Sequence, residues 1–154
     1  MNEVEKQKAL TDKLLYFLKG DQNAVDFCVN LTYIAHLWDD LIDKDIQRSD
    51  ADINDAFRAA LIDIPCNPFY VHFRTHLAPL MQSAILQWED ANILERGSDH
   101  DKHMAYMLRA SFLQIFCFCA YLIGGSSWAR QVGPEMRRLY EETLESFMEE
   151  MKNA

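Results

Sequence analysis

Four side chains capable of metal or acid–base chemistry fall within eight residues of this chain: His36, Asp39, Asp40 and Asp43. Each residue of an α-helix advances about 100°, so these offsets set the three carboxylates in an arc of roughly 100° around His36. Carboxylates stacked on one face over two turns can converge on one hard cation, or hold two with bridging waters. Mg²⁺ or Mn²⁺ is the ion such ligands favour, commonly shared with a substrate phosphate. Asp39, Asp40 and Asp43 are therefore the expected metal ligands, and His36 an acid, base or hydrogen-bond donor. The alternative is a solvated helix face, with Phe27, Leu31, Ile34, Trp38, Leu41 and Ile42 turned to the core on the other side. Two features favour a site. Residues 27–38 are apolar nearly all round, as in a central helix. The acids also repel one another at i,i+3 and i,i+4 near a helix C-terminus, where the macrodipole disfavours anions, at about 0.3–1 kcal/mol per conflict. Local rules broken together mark functional positions.

The string His36-Leu37-Trp38-Asp39-Asp40-Leu41-Ile42-Asp43 resembles the first aspartate-rich motif, DDxxD, of class I polyprenyl and terpenoid synthases. The resemblance implies a fold that is all-α and in part like theirs, with Asp39, Asp40 and Asp43 holding Mg²⁺ against a substrate diphosphate. It also sets Arg48 in the place of the basic residue that often follows the motif. A second DDxxD and an NSE-type triad are missing, and the chain is about half the length of such synthases. What the motif implies is thus a small relative, or convergent use of the same metal geometry.

Completion of such a site calls for polar residues on otherwise buried stripes. The stripe Leu77, Leu80, Met81, Ala84, Ile85, Trp88, Ala91 continues by helical spacing onto Asn92 and Glu95, polar residues where the pattern asks for core. Glu95, with His36, is the candidate catalytic base; Asn92, with His100 and His103, is expected to bind substrate. His100 and His103 stand one turn apart and can bind metal or phosphate, or act as capping and surface groups. Arg109, in a nearly apolar segment, reads as a structural ion-pair partner for one of the acids in preference to an anion ligand. Gln114, among Phe112, Leu113, Ile115 and Phe116, calls for a buried partner. No P-loop, dinucleotide fingerprint, nucleophile triad or HExxH helix is present.

The elements that must position these groups are helices. The first is expected from Glu3 to Lys19, stopped by Gly20; Asp21 caps a second that reaches Asp43. Ser49 or Asp50 caps a third through Leu61. Asn67 caps a fourth, with Pro68 at its first position, running to Glu95 with a kink at Pro79. A fifth runs from Asp99 to Gly124-Gly125. After a Ser/Trp loop, Pro134 opens a sixth, with Met136, Leu139, Tyr140, Leu144, Phe147 and Met151 on one stripe. Period-two alternation is missing. The expected architecture is all-α: a single-domain bundle of five to seven helices over residues 1–154.

A chain of 154 residues, 49% apolar, supports one hydrophobic core. Its net charge of −9 comes with scattered basic residues, which excludes the clustered Lys/Arg footprint of nucleic-acid binding. The start lacks the apolar segment of a signal peptide. The largely apolar run Ala110 to Gly125, before the polar Ser126-Ser127, is shorter than the ~20 apolar residues that span a bilayer, so a core helix is expected and no membrane partner. Four cysteines without zinc spacing read as free thiols of a cytoplasmic protein. Two functions are expected from different classes. One is a Mg²⁺- or Mn²⁺-dependent protein acting on a phosphate- or diphosphate-containing small molecule, hydrolysis suiting the small size best. The other is a non-enzymatic acidic helical adaptor or inhibitor working through protein–protein contacts, self-association into a homo-oligomer included. Its support is the negative charge, the methionines of the last helix (Met136, Met148, Met151) and the incomplete catalytic set.

Overall fold

A computed structural model describes all 154 residues. Helix accounts for 84% of them and no residue lies in a strand, so the all-α expectation holds. A capping box between Asn2 and Glu5 starts α1 (Glu3–Phe17), which ends where Lys19 and Gly20 turn left-handed. Asp21 accepts from the Ala24 amide and opens α2 (Gln22–Asp43); left-handed Lys44 closes it. Ser49 and Asp52 box the start of α3 (Asp50–Arg58). A π-turn over Ala59–Asp63 then leads into the short α4 (Ile64–Cys66). Pro65 has no N–H with which to continue an ordinary ladder, and the wider turn precedes it. Asn67 is a genuine cap: its Oδ1 accepts from the Tyr70 amide at 3.0 Å, while its Nδ2 donates to the Asn23 carbonyl at 2.9 Å.

From this cap runs α5 (Pro68–Leu94). Its backbone leaves helical geometry at Phe73 (φ −107°, ψ 17°), six residues ahead of Pro79. The ring of Pro79 would crowd the carbonyl four residues back, that of Thr75, so the break lies at Phe73 and not at the kink expected from Pro79. Ser98 and Asp101 box the start of α6 (Asp99–Ala110). A 3₁₀ turn, Ser111–Leu113, joins it to α7 (Gln114–Arg137), and Thr143 caps α8 (Leu144–Lys152). Gly125 (φ 81°, ψ −177°) does break the helix where a stop is expected; the correction is that a second helical segment follows at once in place of the expected Ser/Trp loop. Pro134 lies inside the last turns of α7, and Leu139 and Tyr140 fall in the connection to α8. The stretch Asp99–Arg137, taken together, is long and apolar enough to cross a membrane by length and composition, a test that core helices also pass.

The chain forms two compact units, Met1–Arg74 and Thr75–Ala154. In the first, Leu14, Leu18, Val25, Phe27 and Cys28 are fully buried, and the Phe27 ring stacks on Tyr70 at 5.6 Å. Here α2 and the α3–α4 run lie antiparallel: Tyr33 donates to the Asp52 carbonyl at 3.0 Å near one end, and Asn67 reaches Asn23 at the other. The second unit packs Leu94, Tyr106, Leu108, Met148 and Met151 around buried Ala91, Ala105 and Phe147.

Candidate functional site

The aspartates near the end of α2 do not share one environment. Asp40 is mostly buried and bound by Arg48, whose Nε lies 2.6 Å and whose second guanidinium nitrogen 2.5 Å from the same carboxylate oxygen. Arg48 thereby answers the charge conflict that the sequence poses at this helix end. Asp39 is half-buried, whereas His36 and Asp43 are exposed. Phe27 and Leu31 are buried on the expected core side, but toward the helix end Leu37 takes the inward position and Trp38, Leu41 and Ile42 lie at the surface. No group of three or more His, Cys, Asp or Glu side chains is placed to hold a metal ion. As arranged, these residues do not fit a Mg²⁺ or Mn²⁺ ligand set.

In the second unit Asn92 and Glu95 do come together, around Arg109. The guanidinium donates to Glu95 at 2.6 Å and to Asn92 at 2.8 Å, so the candidate base and the candidate substrate ligand are both engaged by one cation. The ion-pair reading of Arg109 is the one the geometry gives. Nearby, Tyr106 donates to the Glu142 carbonyl and Tyr140 to the Glu142 carboxylate. Burial pushes the Glu142 carboxyl up and Glu150 adds to the rise, opposed by the Tyr140 hydrogen bond and the Arg109 charge. Tyr140 is itself raised, by burial first and then by Glu142. These are marks of a packed polar network, with its cation and acids satisfying one another. His100 and His103 are exposed on α6.

Two concave surfaces lie apart from these residues. A cleft of about 280 Å³ in the second unit is lined by Leu80, Gln114, Cys117, Phe118, Tyr121 and Arg137. Burial raises the Cys117 thiol against the opposing pull of Arg137, which leaves it a poor nucleophile. The larger hollow, about 410 Å³, lies in the first unit between α2 and the π-turn–α4 segment. Asp26, Asn23 and Asn30 line one wall, and Ile62, Asp63, Cys66 and Asn67 the other. Two exposed carboxylates therefore share an open groove. Ile62 in its wall is 55% exposed; on the same run of helix Phe57 and Leu61 are 60% and 67% exposed, while the small Ala56 and Ala59 face inward.

The sequence reading missed this surface. The signal was the inversion itself: alanines at 56 and 59 can pack closely, and the π-turn then shifts the register of the residues that follow. Asp26 and Asp63 sit in separate helices, and nothing local in the sequence pairs them. No family model, curated protein or solved structure matches the chain.

Proposed function

We propose that the chain is a non-enzymatic helical adaptor whose first unit binds a basic amphipathic helix of a partner protein. The observation that carries this is an open groove holding Asp26 and Asp63 with exposed Ile62 in its wall, on a run of helix that also presents exposed Phe57 and Leu61. Exposed apolar side chains grouped beside polar ones suit a helix-in-groove contact. Charge selects the partner. Residues 21–66 hold ten aspartates against Lys44, Arg48 and Arg58, and Arg48 and Arg58 are engaged by Asp40 and Asp55. Such a surface repels nucleic acid and anionic lipid and favours Lys/Arg-flanked apolar anchors.

The test uses the full chain and a labelled 20-residue amphipathic leucine/lysine helix, with a leucine/glutamate helix of the same pattern as control. Fluorescence anisotropy is expected to show binding of the basic helix only, weakening with salt. Leu61→Asp and the pair Asp26→Asn/Asp63→Asn should each weaken it about tenfold or more. The charge-matched pair Glu145→Gln/Glu149→Gln should leave it within about twofold, with far-UV circular dichroism confirming the fold of each variant. Equal loss in that control pair, or no binding, overturns the reading. Mg²⁺-dependent release of phosphate from a diphosphate would restore the metal-dependent alternative.

A further inference from the structure

The two sides of α6 carry different chemistry. Ala105 is fully buried and Leu108 packs against the same core. Arg109 turns from this side toward Glu95. At about 100° per residue the opposite side carries His100, His103, Met104 and Met107 within an arc of roughly 100°. All four are exposed, Met104 by 38% and Met107 by 61%. No Asp, Glu, Lys or Arg shares that arc, and Asp101, the nearest acid, is committed to the amide of Ser98. Offsets of three and four set neighbouring Cβ atoms about 5–6 Å apart, and His100 to Met107 spans two turns, about 10 Å. Imidazole nitrogens and flexible thioether sulfurs on such side chains can meet between those two turns.

Thioethers are poor ligands for Mg²⁺, Mn²⁺ or Ca²⁺, which take hard oxygens; soft sulfur combined with imidazole selects Cu(I). We propose that His100, His103, Met104 and Met107 form a surface site for a soft monovalent cation, Cu(I) in the cell. Neutral imidazole and thioether donate lone pairs to a metal released by its carrier, with no change of oxidation state. This site lies in the second unit and is independent of the peptide groove.

Ag(I), a redox-stable stand-in for Cu(I), is titrated into full-length protein carrying methyl-¹³C methionine. Cys66→Ser serves as background, because that exposed free thiol would take the first equivalent. The methyl resonances of Met104 and Met107 are expected to move together and saturate at one equivalent, with Met1, Met81, Met136, Met148 and Met151 unmoved. Competition with bicinchoninate for Cu(I) should show Met104→Leu/Met107→Leu weaker by about tenfold or more at unchanged melting temperature. His100→Gln/His103→Gln should weaken binding likewise. Still methyl resonances at Met104 and Met107, or undiminished Cu(I) affinity in either double variant, overturn the proposal.

Discussion

Arg109 is the group whose removal should be felt most. Its side chain and that of Glu95 are 13% and 16% exposed, so each charge has given up most of its water and depends on the other. Arg109→Met keeps much of the side-chain volume and leaves Glu95 and Asn92 without their donor. A loss of about 2–4 kcal/mol in urea denaturation is expected. Adding Glu95→Gln should recover part of that loss, because the stranded carboxylate causes much of it; strictly additive losses would show that the pair is not coupled. Glu142, in the same network, titrates with the opposite sign from most paired acids. Burial and Glu150 raise its folded-state value above the ordinary 4.5. Folding therefore favours the protonated acid: its stabilising contribution is complete below the unfolded value and is lost as pH rises through the raised folded value. Glu142→Gln should accordingly flatten the dependence of melting temperature on pH between 4.5 and neutrality. A slope identical to that of the parent would show that this carboxyl is not perturbed by its surroundings.

Helix boundaries obey local chemistry where that chemistry is explicit in the sequence. Asp21 and Asn67 read as caps and are caps, and of Ser49 and Asp50 it is Ser49 that caps, because a short polar side chain at the first free amides has few competing uses. Gly124-Gly125 reads as a stop and Gly125 does break the helix, yet a second helical segment follows at once, because one glycine can absorb the whole break. This gives a three-way prediction along α7. Gly125 lies at φ 81°, ψ −177°, a region that side-chain-bearing residues avoid, so Gly125→Ala should cost about 1–3 kcal/mol. A Cβ on Gly124 would fall 2.5 Å from Trp128 Cδ1 and 2.7 Å from its Cβ, which turning the indole does not clear, so Gly124→Ala should also destabilise. At Gly133 a Cβ meets nothing within 4 Å, and Gly133→Ala should be neutral or stabilising by up to about 1 kcal/mol. Urea denaturation of the three variants checks the order; a Gly125→Ala protein as stable as Gly133→Ala would contradict the break.

Charge at the scale of the molecule shows why the helices were legible and the site was not. Helical periodicity and caps are written in near neighbours, as is the Arg48–Asp40 pair, eight residues apart. The grouping of Asp26 with Asp63 and the outward turn of Phe57 depend on packing between helices, which a single periodicity cannot express. The aspartate run was a real signal of conflict. Its resolution is an arginine at Asp40, set in a chain of net charge −9 that repels itself. That surplus makes a discriminating prediction. Any salt should raise the melting temperature by screening the repulsion, and for an exposed acidic surface MgCl₂ and NaCl at matched ionic strength should act nearly alike. A discrete Mg²⁺ site behaves differently. At a hundredfold excess over its dissociation constant it would stabilise the fold by about 2.7 kcal/mol. For a chain of this size that is a rise of about 5–10 °C beyond the screening effect. Differential scanning fluorimetry at about 10 mM Mg²⁺ is expected to show no such excess, because ligands at Asp39, Asp40 and Asp43 are not gathered and Asp40 already has its cation. An excess of several degrees that vanished in Asp40→Asn would show that the carboxylates regroup around the ion, and would return the chain to the metal-dependent class.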